Sequence, residues 1–395
     1  MPCVQFTRRH SIPRKSKQCP RLLLGIGVYL LALTYTGITN YFDTDDSINT
    51  PAAKLRIVIA ILFLAAAFFA PAQELPVRQI WKSYPVYHPD KAPPDYIEWL
   101  RTQAPEQIVN PTGEELYDAP ILLGSLGARP PSDPPFLHDK AWFDKVNPPL
   151  TREGAITGYV YILRTKGKIE VGAASCAMCH NRVMPNGTVI KGGQGNFPVD
   201  AALAEDLLTT TGNPALREAN KALIRRLFQI NGDFNLINDA KLLSGRLPGL
   251  MTPPRSAIDS PSQIPDIIGA KIQPAALAKK QLDYDAVTRY SDEQLETLSK
   301  YVAALKAPPS PYKTDKFTRQ GEKVFEREGC AKCHTTANDK LTGLWRKGVL
   351  GHSGTITTLE EWLDPSRLQY SKGHEFGFKL SGTERFALIA FLRTL

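Results

Sequence analysis

Cys176-Ala-Met-Cys179-His180 and Cys330-Ala-Lys-Cys333-His334 are two copies of one pattern, in which two thiols three positions apart are followed at once by an imidazole. Each pair of thiols can form thioether bonds with the two vinyl groups of one porphyrin, and the adjacent imidazole can bind the iron from one face. The spacing therefore predicts two covalently attached c-type haems. The predicted attachment residues are Cys176, Cys179 and His180 for the first haem and Cys330, Cys333 and His334 for the second, with both histidines as iron ligands.

Two other uses of such thiol pairs are a redox-active dithiol and half of a zinc site from each motif. Both leave the histidine after each pair without a role. Of the six cysteines, only Cys3 and Cys19 lie outside the motifs, so the body of the chain has no cysteine left for a structural disulfide. The compartment is instead indicated by the haems, because c-type attachment takes place outside the cytoplasmic membrane in bacteria.

Length and charge limit the classes of function. The 395 residues suffice for two or three domains, and 43% of them are hydrophobic, which allows a packed core. The net charge is +9, but residues 1–72 alone contain eight Lys or Arg and only three Asp. The excess in the rest of the chain is too small to indicate a nucleic-acid partner.

The N-terminal 72 residues have the features of a membrane or signal region. Residues 22–42 carry no charge and are long enough to cross a bilayer, with basic residues before them and three Asp after them. A second apolar run, residues 57–69, follows Lys54 and Arg56 and ends at Ala70-Pro-Ala72, the pattern of a signal peptide with a cleavage site. This favours export with cleavage near Gln73, and the alternative is a retained inner-membrane anchor. Either way we expect a periplasmic protein.

Residues 73–306 form the predicted first haem domain. Its proline-rich part, residues 82–150, is expected to be irregular or extended and to wrap a domain rather than form one. Two short strands around a turn, residues 158–164 and 168–171, are expected to precede the first motif. The glycine-rich loop at 192–195 is interpreted either as a close-packing loop at the porphyrin edge or as an ordinary turn. Helices are expected at residues 201–209, 214–228 and 291–305, and Ser291 and Gln294 form a predicted capping box for the last of them.

Residues 315–395 form the predicted second domain, after a stiff linker at 307–311. Residues 315–328 are expected to be a helix that Gly329 ends, directly before the second motif. Ser381 and Glu384 form a predicted capping box that opens a C-terminal helix. The predicted fold class is mainly α: two cytochrome c-like haem domains with long irregular Pro-rich segments and a few short strands.

The sequence leaves the second axial ligand of each iron open. The second region contains no Met, so His352 is the preferred distal ligand there and His374 is the alternative, beside a ligand from the first domain or an open site. For the first iron no candidate stands out, and an open site is also an alternative. The candidates are His88, His138, Met184 and Met251.

Several stretches of the second half resemble the di-haem cytochrome c peroxidase superfamily, which includes the rubber oxygenases. They are residues 290–298, 320–325 with the second motif, 340–345, 352–362 and 373–377. The resemblance implies two cytochrome-like domains with an interface between the haems. It also implies an aromatic residue between the haems, for which Trp345 is the candidate. The helix that ends at the second motif and the C-terminal helix resemble the class I cytochrome c fold, which implies that they cross at Gly321 with Phe325 and Phe391 packed there.

Two functions fit these features. The first is a di-haem c-type cytochrome that transfers electrons outside the cytoplasmic membrane, with a redox protein as its partner. The alternative is a peroxidase- or oxygenase-type enzyme, in which an open first haem reacts with a small oxidant and the second haem supplies electrons. A zinc-binding thiol protein is a third, minor interpretation.

Overall fold

The computed structural model describes residues 77–123, 139–209, 236–253, 256–283, 290–334, 341–351 and 354–395, all within one compact unit, Leu75–Leu395. Among these residues 40% are helical and 15% are in strands. The helices are α1 Tyr96–Thr102, α2 Gly113–Asp118, α3 Lys140–Val146, α4 Cys176–His180, α5 Val199–Thr209, α6 Leu236–Ser244, α7 Pro274–Asp283, α8 Asp292–Ala304, α9 Lys316–Arg327, α10 Leu359–Trp362 and α11 Gly382–Thr394.

The strands form one four-stranded sheet and three two-stranded ones. They are β1 Ile80–Trp81, β2 Ser83–Tyr87, β3 Gln107–Ile108, β4 Leu122–Leu123, β5 Ala155–Thr165, β6 Lys168–Ala173, β7 Asn181–Val183, β8 Val189–Lys191, β9 Leu250–Met251 and β10 Ser262–Gln263. The larger sheet has the antiparallel order β2-β5-β6-β4. Strands β1 and β3, β7 and β8, and β9 and β10 form the small pairs.

The four-stranded sheet corrects the predicted fold class. The expected strands before the first motif are confirmed as β5 and β6, with Gly167 at φ +76° in the turn between them. However, β5 is eleven residues long, and β2 pairs with it from some seventy residues upstream. The mainly α prediction is therefore wrong, and the described residues form a mixed α/β structure. The error arose because the partners of β5 and β6 lie far from them in sequence, where no local pattern indicates pairing.

The proline-rich part contributes to the core and is not an irregular wrap. Its described residues form three helices between prolines, and two of them begin at a side-chain cap, Thr112 for α2 and Asp139 for α3. Trp142 and Phe143 of α3 are buried against the four-stranded sheet. Proline excludes helix only at its own interior position, so short helices fit between the prolines.

The helices predicted around the second motif are confirmed. Helix α8 begins at the capping box of Ser291 and Gln294. Helix α9 begins at Asp315 and is followed by Gly329 at φ +74°, while α11 begins at the capping box of Ser381 and Glu384. These ends were predictable because caps act through hydrogen bonds to residues three positions away.

Helices α9 and α11 cross at Gly321, as the resemblance implied. A Cβ at Gly321 would lie 2.8 Å from the Cβ of Phe391 and would overlap the carbonyl group of Ala387, so the backbones approach to a distance that glycine alone allows. The rings of Phe325 and Phe391 pack beside the crossing, with centres 5.4 Å apart. The apolar cluster around this crossing is the core of the C-terminal part.

The two N-terminal apolar runs and the predicted helix at residues 214–228 lie outside the described residues. Within the part of the chain that is described, no helix is long and apolar enough to span a bilayer. The predicted division into residues 1–72, 73–306 and 315–395 stays a prediction.

Candidate functional site

The first motif forms a one-turn helix, α4, that lies between two apolar clusters. The hydroxyl of Ser175 caps it by accepting a hydrogen bond from the backbone N–H of Met178 at 3.0 Å. Ala177 packs into the cluster of α2 and α8, while Met178 packs into the cluster of the four-stranded sheet. Because both central side chains are buried, the two thiols and the imidazole of His180 are left on the half-buried side of the turn.

The orientation of His180 is set from both of its ends. Its Nδ1 lies 3.0 Å from the carbonyl oxygen of Pro265, so Nδ1 carries the proton and Nε2 carries the lone pair that can bind a metal. The hydroxyl of Tyr117 donates to the carbonyl of His180 at 2.9 Å and accepts from the N–H of Gly192, also at 2.9 Å. These contacts fix the imidazole and its tautomer.

The glycine-rich loop packs directly against the first motif. The N–H of Gly195 donates to the carbonyl of Cys179 at 3.1 Å, and a Cβ at Gly195 would overlap that carbonyl. The loop therefore needs glycine here for a close approach. The close packing fits the first of the two interpretations of the loop, whereas its place at a porphyrin edge stays a prediction.

Among the candidates for the distal ligand of the first iron, the structure brings Met251 to the site. Its Sδ lies 3.8 Å from the Sγ of Cys179. His88 lies elsewhere, at the end of β2, with its ring centre 5.0 Å from that of Phe143. Met184 occupies the turn between β7 and β8, and His138 lies outside the described residues.

The second motif follows α9 in a 3₁₀ turn, Cys330–Lys332, and faces an apolar cavity of about 360 Å³. Cys330, Cys333 and His334 line the cavity, and so does His374. The remaining lining is largely aliphatic and aromatic: Phe325, Leu344, Leu359, Trp362, Leu388 and Leu392. None of the four motif cysteines forms a disulfide.

His374 lies close to His334 although forty residues separate them in sequence. The two ring centres are 6.0 Å apart, and the planes are inclined by 57°. The ring of Trp362 packs against His374 at 5.3 Å. Burial, followed by the nearby positive charges of His334 and Arg367, lowers the pKa of His374, which favours the neutral imidazole that a metal requires.

The loop that carries His374 is held by Arg367, which is fully buried. Its guanidinium donates to the carbonyl oxygens of Trp362, Ser371, Gly373 and His374 at 2.8–3.0 Å. His374 itself has φ +53°, a conformation that a non-glycine residue adopts only when its surroundings impose it. Arg367 is therefore the residue that positions His374.

His352, the preferred distal ligand in the sequence, lies outside the described residues and stays a prediction. The residue before it, Gly351, lines the cavity, and its carbonyl accepts a hydrogen bond from Nε2 of Gln263. Trp345 is half-buried in the 3₁₀ turn Leu344–Arg346. Its role between two haems also stays a prediction.

Polar contacts connect the two motif regions. Oε1 of Gln194 accepts from the N–H groups of Gly348 and Val349 at 2.8 and 3.0 Å. Arg346 and Asp266 form an ion pair, with Nη2 and Oδ2 2.6 Å apart. Burial and the positive charge of Arg346 lower the pKa of Arg182 to about 10. The acceptor of His180, Pro265, precedes Asp266, and Val349 lines the second cavity, so these contacts join the segments of the two sites.

Sequence reasoning missed four residues of these sites: Pro265, Arg346, Arg367 and Gln194. Each acts through contacts with residues distant in sequence or with backbone carbonyls, which leave no local pattern. The described residues contain no group of three or more His, Cys, Asp or Glu side chains suited to a metal ion, whereas a haem iron takes only one or two side chains from the protein.

The sequence and the fold were compared with protein families, curated proteins and solved structures. The sequence matches no family model, and neither a curated protein nor a solved structure matches it. Membership of the di-haem peroxidase superfamily therefore remains an interpretation of the motifs.

Proposed function

We propose that the chain is a di-haem c-type cytochrome that transfers electrons outside the cytoplasmic membrane. Cys176 and Cys179 would hold the first haem, and Cys330 and Cys333 the second, with His180 and His334 as the proximal iron ligands. A haem bound at each site would supply one-electron chemistry through its iron. The partner would be a redox protein.

The observation that carries the proposal is the pair of imidazoles across the second cavity. A metal–imidazole bond is about 2 Å long and the ring centre lies about 1 Å behind the nitrogen, so rings on opposite sides of one metal have centres about 6 Å apart. The separation of 6.0 Å between His334 and His374 fits this value. We therefore propose His374 as the distal ligand of the second iron, beside the earlier candidate His352.

The first site has a comparable pair of features. The hydrogen bond from Nδ1 of His180 to Pro265 orients Nε2 as a metal ligand, in the manner usual for such histidines. Met251 lies next to Cys179, and its thioether is a common axial ligand of haem iron. If Met251 moves from its contact with Cys179 to the iron when haem is bound, the sixth position would be filled, which favours electron transfer over the enzyme alternative, because the enzyme needs an open position.

The residues around the sites would tune and protect the redox centres. The aliphatic and aromatic lining of the second cavity would exclude water and lower the local dielectric constant, both of which affect the reduction potential. Arg367 would hold His374 in place while the iron changes charge, because its hydrogen bonds fix the loop at four carbonyls.

The test is to express the full chain with c-type haem maturation and measure its intact mass and its EPR spectrum. We expect the mass of two haems and two low-spin ferric signals. His374→Ala should convert one signal to high spin, and His88→Ala, whose ring packs against Phe143, should change neither. Met251→Ala should convert the other signal.

Each contrary result has a definite meaning. A chain that carries no covalent haem would refute the proposal as a whole. Loss of a low-spin signal in His352→Ala but not in His374→Ala would restore His352 as the ligand. A wild-type protein with a high-spin first haem that reacts with peroxide would favour the enzyme alternative.

A further inference from the structure

Two arginines with incompletely paired guanidinium groups lie between the segments that carry the two motifs. Arg182 follows His180 by two residues, on β7. Arg346 lies between Leu344 and Lys347, both of which line the second cavity. A Cβ at Gly348, two residues after Arg346, would lie 2.7 Å from Nη1 of Arg182, so the guanidinium of Arg182 packs against the segment that carries Arg346.

The protein supplies too few partners for these groups. Arg346 is only 2% exposed, and Asp266 lies at ion-pair distance from its Nη2. Its Nε and Nη1 are buried without a hydrogen-bond partner, and so is Nε of Arg182. Nη1 of Arg182 reaches only the carbonyl of Gln194, at 3.4 Å. In the described part of the chain, no carboxylate lies at ion-pair distance from Arg182.

A buried N–H group without an acceptor is unfavourable, and so is a buried charge without a counter-charge. Two guanidinium groups and one carboxylate leave one positive charge unbalanced and three buried donors unused, and Oδ2 of Asp266, although at ion-pair distance, also forms no hydrogen bond. A carboxylate meets both needs, because it accepts two parallel hydrogen bonds from the planar fork of an arginine. The cluster therefore has the charge and the donors of a site for a second carboxylate.

We propose that Arg182 and Arg346 bind a carboxylate, and that this carboxylate is a propionate side chain of a haem at one of the two motifs. The inference rests on the proposed function, since the haem provides the ligand. Each haem carries two propionates at its edge. Arg182 is two residues from His180 in sequence, and Arg346 lies between Leu344 and Lys347, which line the cavity of the second motif. The bound propionate supplies the missing negative charge and the acceptors for the buried N–H groups.

The experiment observes the haem carboxylates directly. The full chain is expressed in cells supplied with 5-aminolevulinate labelled with ¹³C at its carboxyl carbon, so that the label enters the propionates but not Asp266. Redox-induced infrared difference spectra of Arg346→Gln and Arg182→Gln are compared with the wild type. Arg319→Gln, an exposed residue of α9, is the control with the same change of charge.

We expect an isotope-sensitive carboxylate band to move in Arg346→Gln and Arg182→Gln and to stay in place in Arg319→Gln. We also expect the midpoint potential of one haem to fall, because loss of a nearby positive charge favours the ferric state. A tenfold change in that equilibrium corresponds to about 59 mV for a one-electron couple. Arg346→Lys, which keeps the charge but not the fork, should recover part of the potential.

Two results would overturn the inference. One is an isotope-sensitive band that stays unchanged in both glutamine variants; if one variant does not fold, the other decides. The second is a wild-type potential that depends on added acetate and loses this dependence in Arg346→Gln, which would assign the site to a free carboxylate. Absence of haem from the wild type would instead refute the proposed function, and it is seen before any variant is compared.

Discussion

Replacement of Gly321 by Ala tests the helix crossing on which the second cavity depends. The added Cβ would lie 2.5 Å from the carbonyl carbon of Ala387 and 2.8 Å from the Cβ of Phe391. Carbon atoms in ordinary contact are about 3.5 Å apart, so the two helices must separate by about 1 Å. A gap of that size removes about half of the van der Waals energy of each contact across it. Because the main obstacle is backbone, no side-chain rotation relieves the overlap.

The net effect combines two opposite terms. Overpacking of a core destabilises by about 1–3 kcal/mol, and we expect about 3 kcal/mol here because a carbonyl group is in the way. Alanine in a helix interior is more favourable than glycine by about 1 kcal/mol. The expected loss is therefore about 2 kcal/mol, which corresponds to roughly a thirty-fold change in the local opening equilibrium.

Hydrogen exchange followed by mass spectrometry measures this equilibrium locally. Peptides that cover α9 and α11 should lose about thirty-fold in protection in Gly321→Ala. Gly382→Ala is the matched control, since Gly382 begins α11 and a Cβ there meets nothing within 4 Å. Equal protection of α9 and α11 in Gly321→Ala and the wild type would refute the close crossing and the cavity geometry derived from it.

Two further predictions concern the first site and the sheet. Tyr117→Phe removes the hydroxyl that hydrogen-bonds to His180 and Gly192, so we expect the free energy of unfolding, measured by thermal unfolding, to fall by about 1–3 kcal/mol. Tyr312→Phe, at an exposed position, should leave it unchanged. Equal melting temperatures of the two variants would contradict the role of the Tyr117 hydroxyl. Burial raises the pKa of Asp206, a residue of α5, to about 7, above its value in the unfolded chain. The folded state therefore binds the carboxyl proton more tightly than the unfolded state does. As a result, the contribution of Asp206 to stability falls as the pH rises from about 4 to about 7. Asp206→Asn removes this titration. Chemical unfolding between about pH 4 and about pH 7 should therefore show the difference in unfolding free energy between variant and wild type changing by up to about 1.4 kcal/mol per pH unit. Parallel plots of unfolding free energy against pH would contradict the raised pKa.

The sequence by itself determined the local features of the protein. The thiol spacing predicted two haem-attachment turns, and the capping boxes at Ser291 and Ser381 correctly located the starts of two helices. Gly329 correctly located the end of the helix before the second motif. These features could be predicted because the interactions that produce them join residues only a few positions apart.

Only the tertiary structure decided which distant residues meet. It paired β2 with β5, which turned a predicted mainly α chain into a mixed one. It brought Pro265 to His180, Met251 to Cys179 and His374 to His334, and it buried Arg346 against Asp266. No spacing rule connects such pairs, because their separation in sequence is set by the path of the whole chain, and contact follows from packing of the apolar clusters that carry them.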